Sequence, residues 1–153
     1  MSRIRRILHP TDFSRASRAG FGRALDLAKA NRAELLIVHV RAAGVAPMAG
    51  EGYMSPQTYQ EVEASLRAWE QGHLDGLVAR AKKAGVRARG LLLTEGSPHE
   101  RIVAAAKTQR ADVVVMGTHG RTGVGRFFLG SVAERVVTLS PCPVMTVRGK
   151  EAR

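Results

Sequence analysis

Five short apolar runs punctuate the chain, at residues 4–9, 34–40, 86–94, 112–117 and 143–147. Two of them are almost unbroken: Leu35-Leu36-Ile37-Val38 and Val113-Val114-Val115-Met116. A strand with one wet face alternates apolar and polar residues. An unbroken run suits a strand covered on both faces, which is the state of strands in a parallel sheet.

Helical patterns fill the intervals. Ser14 to about Asn31 carries Ala16, Ala19, Ala24, Leu27 and Ala28, with Ser14 placed as N-cap. From Pro56 to about Ala84, the residues Val62, Leu66, Trp69, Leu74, Leu77, Val78 and Ala81 form a stripe near the 3.6 period, which assigns Trp69 to the core. Ser97-Pro98-His99-Glu100 has the form of a capping box with proline at the first helical position, and its helix runs to about Gln109. A last helix begins near Gly130-Ser131 and passes through Val132, Val136 and Val137, until Pro141 and Pro143 stop it. Strand and helix alternate throughout. The expected fold class is therefore α/β: a single domain over 1–153, an open five-stranded parallel sheet with helices on both faces. Residues 41–55, rich in Gly, Ala, Pro and Met, read as a surface loop.

Composition narrows the class. A chain of 153 residues has the size of one domain and can bury a core without staples. No apolar run reaches the ~20 residues of a membrane helix. The basic start, Met1 to Arg6, opens no long apolar segment, so the expected location is cytoplasmic. The single cysteine, Cys142, reads as a small packed hydrophobe, and no Cys/His spacing suggests zinc. The net charge of +11 would attract polyanions, but the arginines are spread along the chain and form no basic block. With aromatics at 5% and no basic-aromatic interleaving, the pattern argues against a nucleic-acid surface.

In an open parallel sheet, ligands bind beyond the carboxyl ends of the strands. Four segments leave strands at that edge: Pro10-Thr11-Asp12-Phe13-Ser14, Val40-Arg41, Thr94-Glu95-Gly96-Ser97 and Gly117-Thr118-His119-Gly120-Arg121. In the last, valines give way at once to glycines, which let backbone N–H groups approach an anion. Gly130-Ser131 then opens a helix whose first N–H groups are free and whose dipole favours negative charge. The Ser131 hydroxyl is placed either to cap that helix or to donate to a phosphate. Two familiar phosphate motifs fail. Phe128 occupies the third-glycine position after Gly123-Val124-Gly125, and the stretch from Gly125 to Gly130-Ser131 lacks the lysine of a P-loop.

The pattern Gly117-x2-Gly120-x9-Gly130-Ser131 resembles the nucleotide-binding signature of the universal stress protein family. The contexts Val113 to Gly123 and Leu129 to Val136 are similar to that family at nearly every position, as are Ile7 to Ser14, Leu36 to Val40 and Pro141 to Val147. The resemblance implies a Rossmann-like, adenine-nucleotide-hydrolase-like fold and an ATP-binding subclass, with ADP or AMP as alternatives. It places adenosine against Asp12 and Val40 and the triphosphate among Gly117, Gly120, Gly130, Ser131 and Val132, with Pro10, Thr11, Met116, His119 and Arg121 as further nucleotide-binding residues. Asp12 would also meet Mg²⁺ held by the phosphate. A homodimer paired through strand 143–148 is implied, together with further protein partners. Local readings stay open beside these. Asp12 also suits a turn, His119 reads equally as a solvent-facing residue, and Arg121 and Arg126 serve either as phosphate partners or as loop cations. No dedicated catalytic pair is visible. The expected role is a nucleotide-dependent regulator in the stress response with slow or no hydrolysis; the alternatives are a weak ATPase or phosphotransferase using His119 and Arg121, and a basic nucleic-acid-binding protein.

Overall fold

The structure, a computed structural model, describes residues 3–41, 52–94, 96–118 and 129–149. Along the chain lie β1 (Arg6–Pro10), α1 (Arg15–Asn31), β2 (Glu34–Val40), α2 (Pro56–Lys83), β3 (Ala88–Leu93), α3 (Pro98–Thr108), β4 (Val113–Gly117), α4 (Ser131–Leu139) and β5 (Val144–Val147). All pairings are parallel, in the order β3-β2-β1-β4-β5. The chain winds outward from β1 to β3, then returns beside β1 and winds the other way. The switch lies between β1 and β4.

The unbroken apolar runs are explained by two cores. One face of the sheet buries Ile7, Leu35, Ile37, Val113 and Val115 with Phe21, Ala24 and Leu74 from α1 and α2. The other buries Leu8, Leu36, Val38, Val114 and Met116 with Ile102 and Ala105 of α3 and Ala133 and Val136 of α4. Successive strand residues point to opposite faces, so both must be apolar. The edge strand β5 has no buried residue, and Cys142 is half-buried against the second core. Among the described residues no helix is long and apolar enough to cross a membrane.

Two helices differ from the sequence reading. In α2 the buried residues are Glu70, Leu74 and Ala81, while Trp69 stands 46% exposed. The stripe is continuous in the sequence, but only its second half lies over the sheet. In α3, Ser97 is the N-cap and Pro98 the first helical residue, yet no side-chain cap bond forms. The Ser97 hydroxyl instead pairs with His99 Nδ1 at 2.7 Å.

Candidate functional site

The carboxyl ends of β1 and β4 diverge at the switch point, and a cavity of about 370 Å³ opens there. That volume lies in the range of small-molecule sites. Pro10, Thr11 and Asp12 line it from β1, Val38, His39 and Val40 from β2, and Met116, Gly117 and Thr118 from β4. Pro98 and Ile102 of α3, and Gly130, Ser131, Val132 and Ala133 around the start of α4, close it. Nine of the twelve residues named in the sequence thus meet on one cavity. The other three, His119, Gly120 and Arg121, lie outside the described residues, as do Gly123, Gly125 and Arg126.

Each wall has a local cause. At the end of β4, the Gly130 N–H donates to the Thr118 carbonyl at 2.7 Å, tying the start of α4 to the strand. Gly130 is the N-cap, with φ −60° and ψ 152°, and no side chain caps the helix. The Ser131 hydroxyl is therefore not a cap. The first intrahelical bond runs from Glu134 N to Gly130 O, so the N–H groups of Ser131, Val132 and Ala133 have no partner within the helix. They belong to residues on the cavity wall, where the helix dipole favours an anion.

Gly117 has a second reason to be glycine. A Cβ there would lie 2.7 Å from the Ala16 carbonyl oxygen, and one on Gly20 would lie 3.0 Å from the Gly117 nitrogen. The start of α1 thus rests on the backbone of β4, whatever ligand is bound.

The β1 side is a wound loop. Asp12 Oδ1 accepts from Ser14 N at 2.9 Å, and Thr11 Oγ1 accepts from Phe13 N at 3.0 Å and from the Ser17 hydroxyl at 2.6 Å. Phe13 sits at φ 63°, a left-handed conformation uncommon for a bulky residue. Asp12 therefore does serve a turn, while its residue still lines the cavity.

Two histidines back the site. Both His9 and His39 are buried. His39 Nδ1 donates to the Thr11 carbonyl at 2.8 Å, while Nε2 faces Glu70 Oε1 at 3.4 Å. Glu70 in turn accepts from Arg41 Nε at 2.7 Å, and Glu63 from Arg41 NH2 at 3.1 Å. Sequence reading missed this chain, although one signal was present: Glu70 is an acid on the core face of a helix. His9 Nδ1 donates to the Val115 carbonyl at 2.8 Å, leaving its Nε2 buried and without a partner among the described residues. Burial pushes the His9 pKa down to about 4, against the opposing pull of the Val115 bond and of Asp12.

The donor set fits a phosphorylated ligand better than a bare cation. Among the described residues no three His, Cys, Asp or Glu side chains cluster to hold a metal ion. Asp12 is the carboxylate on the cavity wall, and Mg²⁺ commonly takes one or two carboxylates together with phosphate oxygens.

A model of the universal stress protein family matches residues 3–148. The chain belongs to that family. A universal stress protein of Methanocaldococcus jannaschii, MJ0531, is 35% identical over 144 residues, covering 94% of this chain and 82% of that protein. The solved structure of MJ0577, from the same organism, superposes with a TM-score of 0.82 at 24% identity, covering 99% of this chain and all of that one. A universal stress protein solved in complex with cAMP superposes with a TM-score of 0.69 at 26% identity, covering 97% of this chain and all of that one. The two-way winding of the sheet is thus the family's fold.

Proposed function

We propose that this universal stress protein binds ATP at the carboxyl edge of its sheet and acts as a nucleotide-dependent regulator in the stress response, with slow or no hydrolysis. One observation carries the reading. The uncapped start of α4 and the ends of β1, β2 and β4 converge on one cavity, so a polyphosphate finds free N–H groups at one end and a base finds apolar wall at the other. The family relative solved with cAMP supports an adenine nucleotide. In this reading Pro10, Thr11, Asp12 and Val40 hold adenosine, with the Val40 backbone reading the adenine edge. Met116, Gly117, Gly130, Ser131 and Val132, together with His119, Gly120 and Arg121, surround the phosphates, and Asp12 meets Mg²⁺ on them.

Among the described residues, Asp12 is the one carboxylate on the cavity wall and His39 is tied to the Thr11 carbonyl, which supports binding over turnover. Pairing of two copies along 143–148 belongs to the same reading, since β5 is an edge strand with unpaired backbone groups on one side. Nucleotide titration followed by thermal shift tests the proposal, with ATP, ADP, AMP and cAMP as separate arms and Mg²⁺ present or absent. ATP is expected to raise the melting temperature at micromolar concentration. No shift with any of the four would overturn the assignment.

A further inference from the structure

Helix α2 has 28 residues and is about 42 Å long at 1.5 Å per residue. Beneath it, the seven residues of β2 span about 23 Å. The helix therefore outruns the sheet by roughly 19 Å. Burial identifies the projecting end: the buried residues of α2 begin at Glu70, so the arm is residues 56–69. It is a well-started helix, with Pro56 in the first turn and the Ser55 hydroxyl accepting from Thr58 N at 3.1 Å.

The arm carries large apolar side chains into solvent. Tyr59, Val62, Leu66 and Trp69 are spaced 3-4-3; Tyr59 is half-buried, while Val62, Leu66 and Trp69 are 49%, 41% and 46% exposed. That is the spacing of the a and d positions that seat one helix against another. On one flank of the seam stand Thr58 and Ser65, a heptad apart and small enough for close approach. The opposite flank faces the body, where Glu63 holds Arg41.

We propose that this seam packs against the same seam of a second copy, with the two arms antiparallel about a two-fold axis between Val62 and Leu66. That axis sets Tyr59 beside the other copy's Trp69 and Val62 beside its Leu66, so each layer pairs a larger with a smaller side chain. Charge selects the occupant. The seam and its Thr58/Ser65 flank are uncharged, and residues 56–69 carry two acids and one arginine, in a chain of net +11. Two copies meet along this uncharged seam without the repulsion the rest of the molecule would impose. Val62, Leu66 and Trp69 together expose far less than the roughly 800 Å² per partner of a standard stable interface, so the association depends on concentration. The arm also touches the site's loop: Trp69 lies 5.6 Å from Phe13, edge to face, and Phe13 follows Asp12. The contact is distinct from pairing along 143–148.

Cysteine cross-linking and sedimentation equilibrium test it on the full chain. In a Cys142→Ser background, Ser65→Cys is expected to form a disulfide-linked dimer under mild oxidation, at least ten times faster than Ala79→Cys on the exposed side of the packed half of α2. The link is expected to persist when Thr146→Pro disrupts β5 pairing. Val62→Glu, at an exposed position, is expected to lower the weight-average mass at high concentration while leaving the melting temperature and ATP shift unchanged. Equal rates for the two cysteines, or a Val62→Glu mass identical to that of the parent at every concentration, would overturn the proposal.

Discussion

The helices on the two faces of the sheet start differently. On one face, α1 is capped by the Ser14 hydroxyl and α2 by that of Ser55. On the other, α3 and α4 begin with no side-chain cap bond, and both starts line the cavity through Pro98 and Ser131. A side-chain cap satisfies one of the free N–H groups at a helix start and costs about 1 kcal/mol to remove. Its absence at α4 leaves those groups to a ligand. The capped starts satisfy an N–H group of their own helix, whereas the uncapped starts lie on the cavity wall.

The largest effect that would test this division lies on the capped face. His9 tilts against Phe21 of α1, its ring centroid 5.8 Å away, and its pKa is held at about 4 against an ordinary 6.5. Below pH 6.5 the unfolded chain takes up a proton that the folded chain refuses. The stability due to neutral His9 is therefore complete above 6.5, declines as the pH falls toward 4, and is not eroded further below that. The loss should amount to roughly 3 kcal/mol. Urea unfolding at a series of pH values would show it, with a flatter profile for His9→Gln; parallel profiles would break the assignment.

Next is Gly130→Asp, which supplies α4 with the cap it lacks. The fold should gain about 0.5 kcal/mol from the cap and the helix dipole. ATP affinity should fall about 100-fold, through lost space and like charge against phosphate. Calorimetric titration and thermal melts read the two effects separately. If both rise together, the start of α4 is not a phosphate site.

Gly117→Ala tests which of two reasons makes that residue a glycine. Its Cβ would press on the Ala16 carbonyl, so stability without nucleotide should drop by about 2 kcal/mol. Unchanged stability with weaker ATP binding would move the reason to the ligand. The smallest effect is Ser14→Ala, which should cost about 1 kcal/mol of stability and leave ATP affinity within about two-fold. A larger loss of affinity would show that the Ser14 cap also positions the β1 loop against the nucleotide.

The strands were legible because burial on both faces leaves an unbroken apolar record. The position of the cavity was legible because glycines at the end of β4 and at the start of α4 stand against valine and leucine runs. The chain from His39 through Glu70 to Arg41 was not, because it joins residues 31 positions apart across two elements. Trp69 misled for a related reason: helical periodicity shows which face of a helix is apolar, but not how far the helix outruns the sheet below it.

By itself, the sequence determined the alternation of elements, the parallel sheet, the loops at its carboxyl edge and the family. These follow from local pattern, which neighbouring residues carry among themselves. Only the tertiary structure decided that α1 and α2 are capped while α4 keeps its N–H groups free, that Gly117 is required by α1 packing, and that the first half of α2 projects into solvent. Each of these depends on which groups from distant parts of the chain come within a few ångströms of one another, and spacing along a sequence does not record that distance.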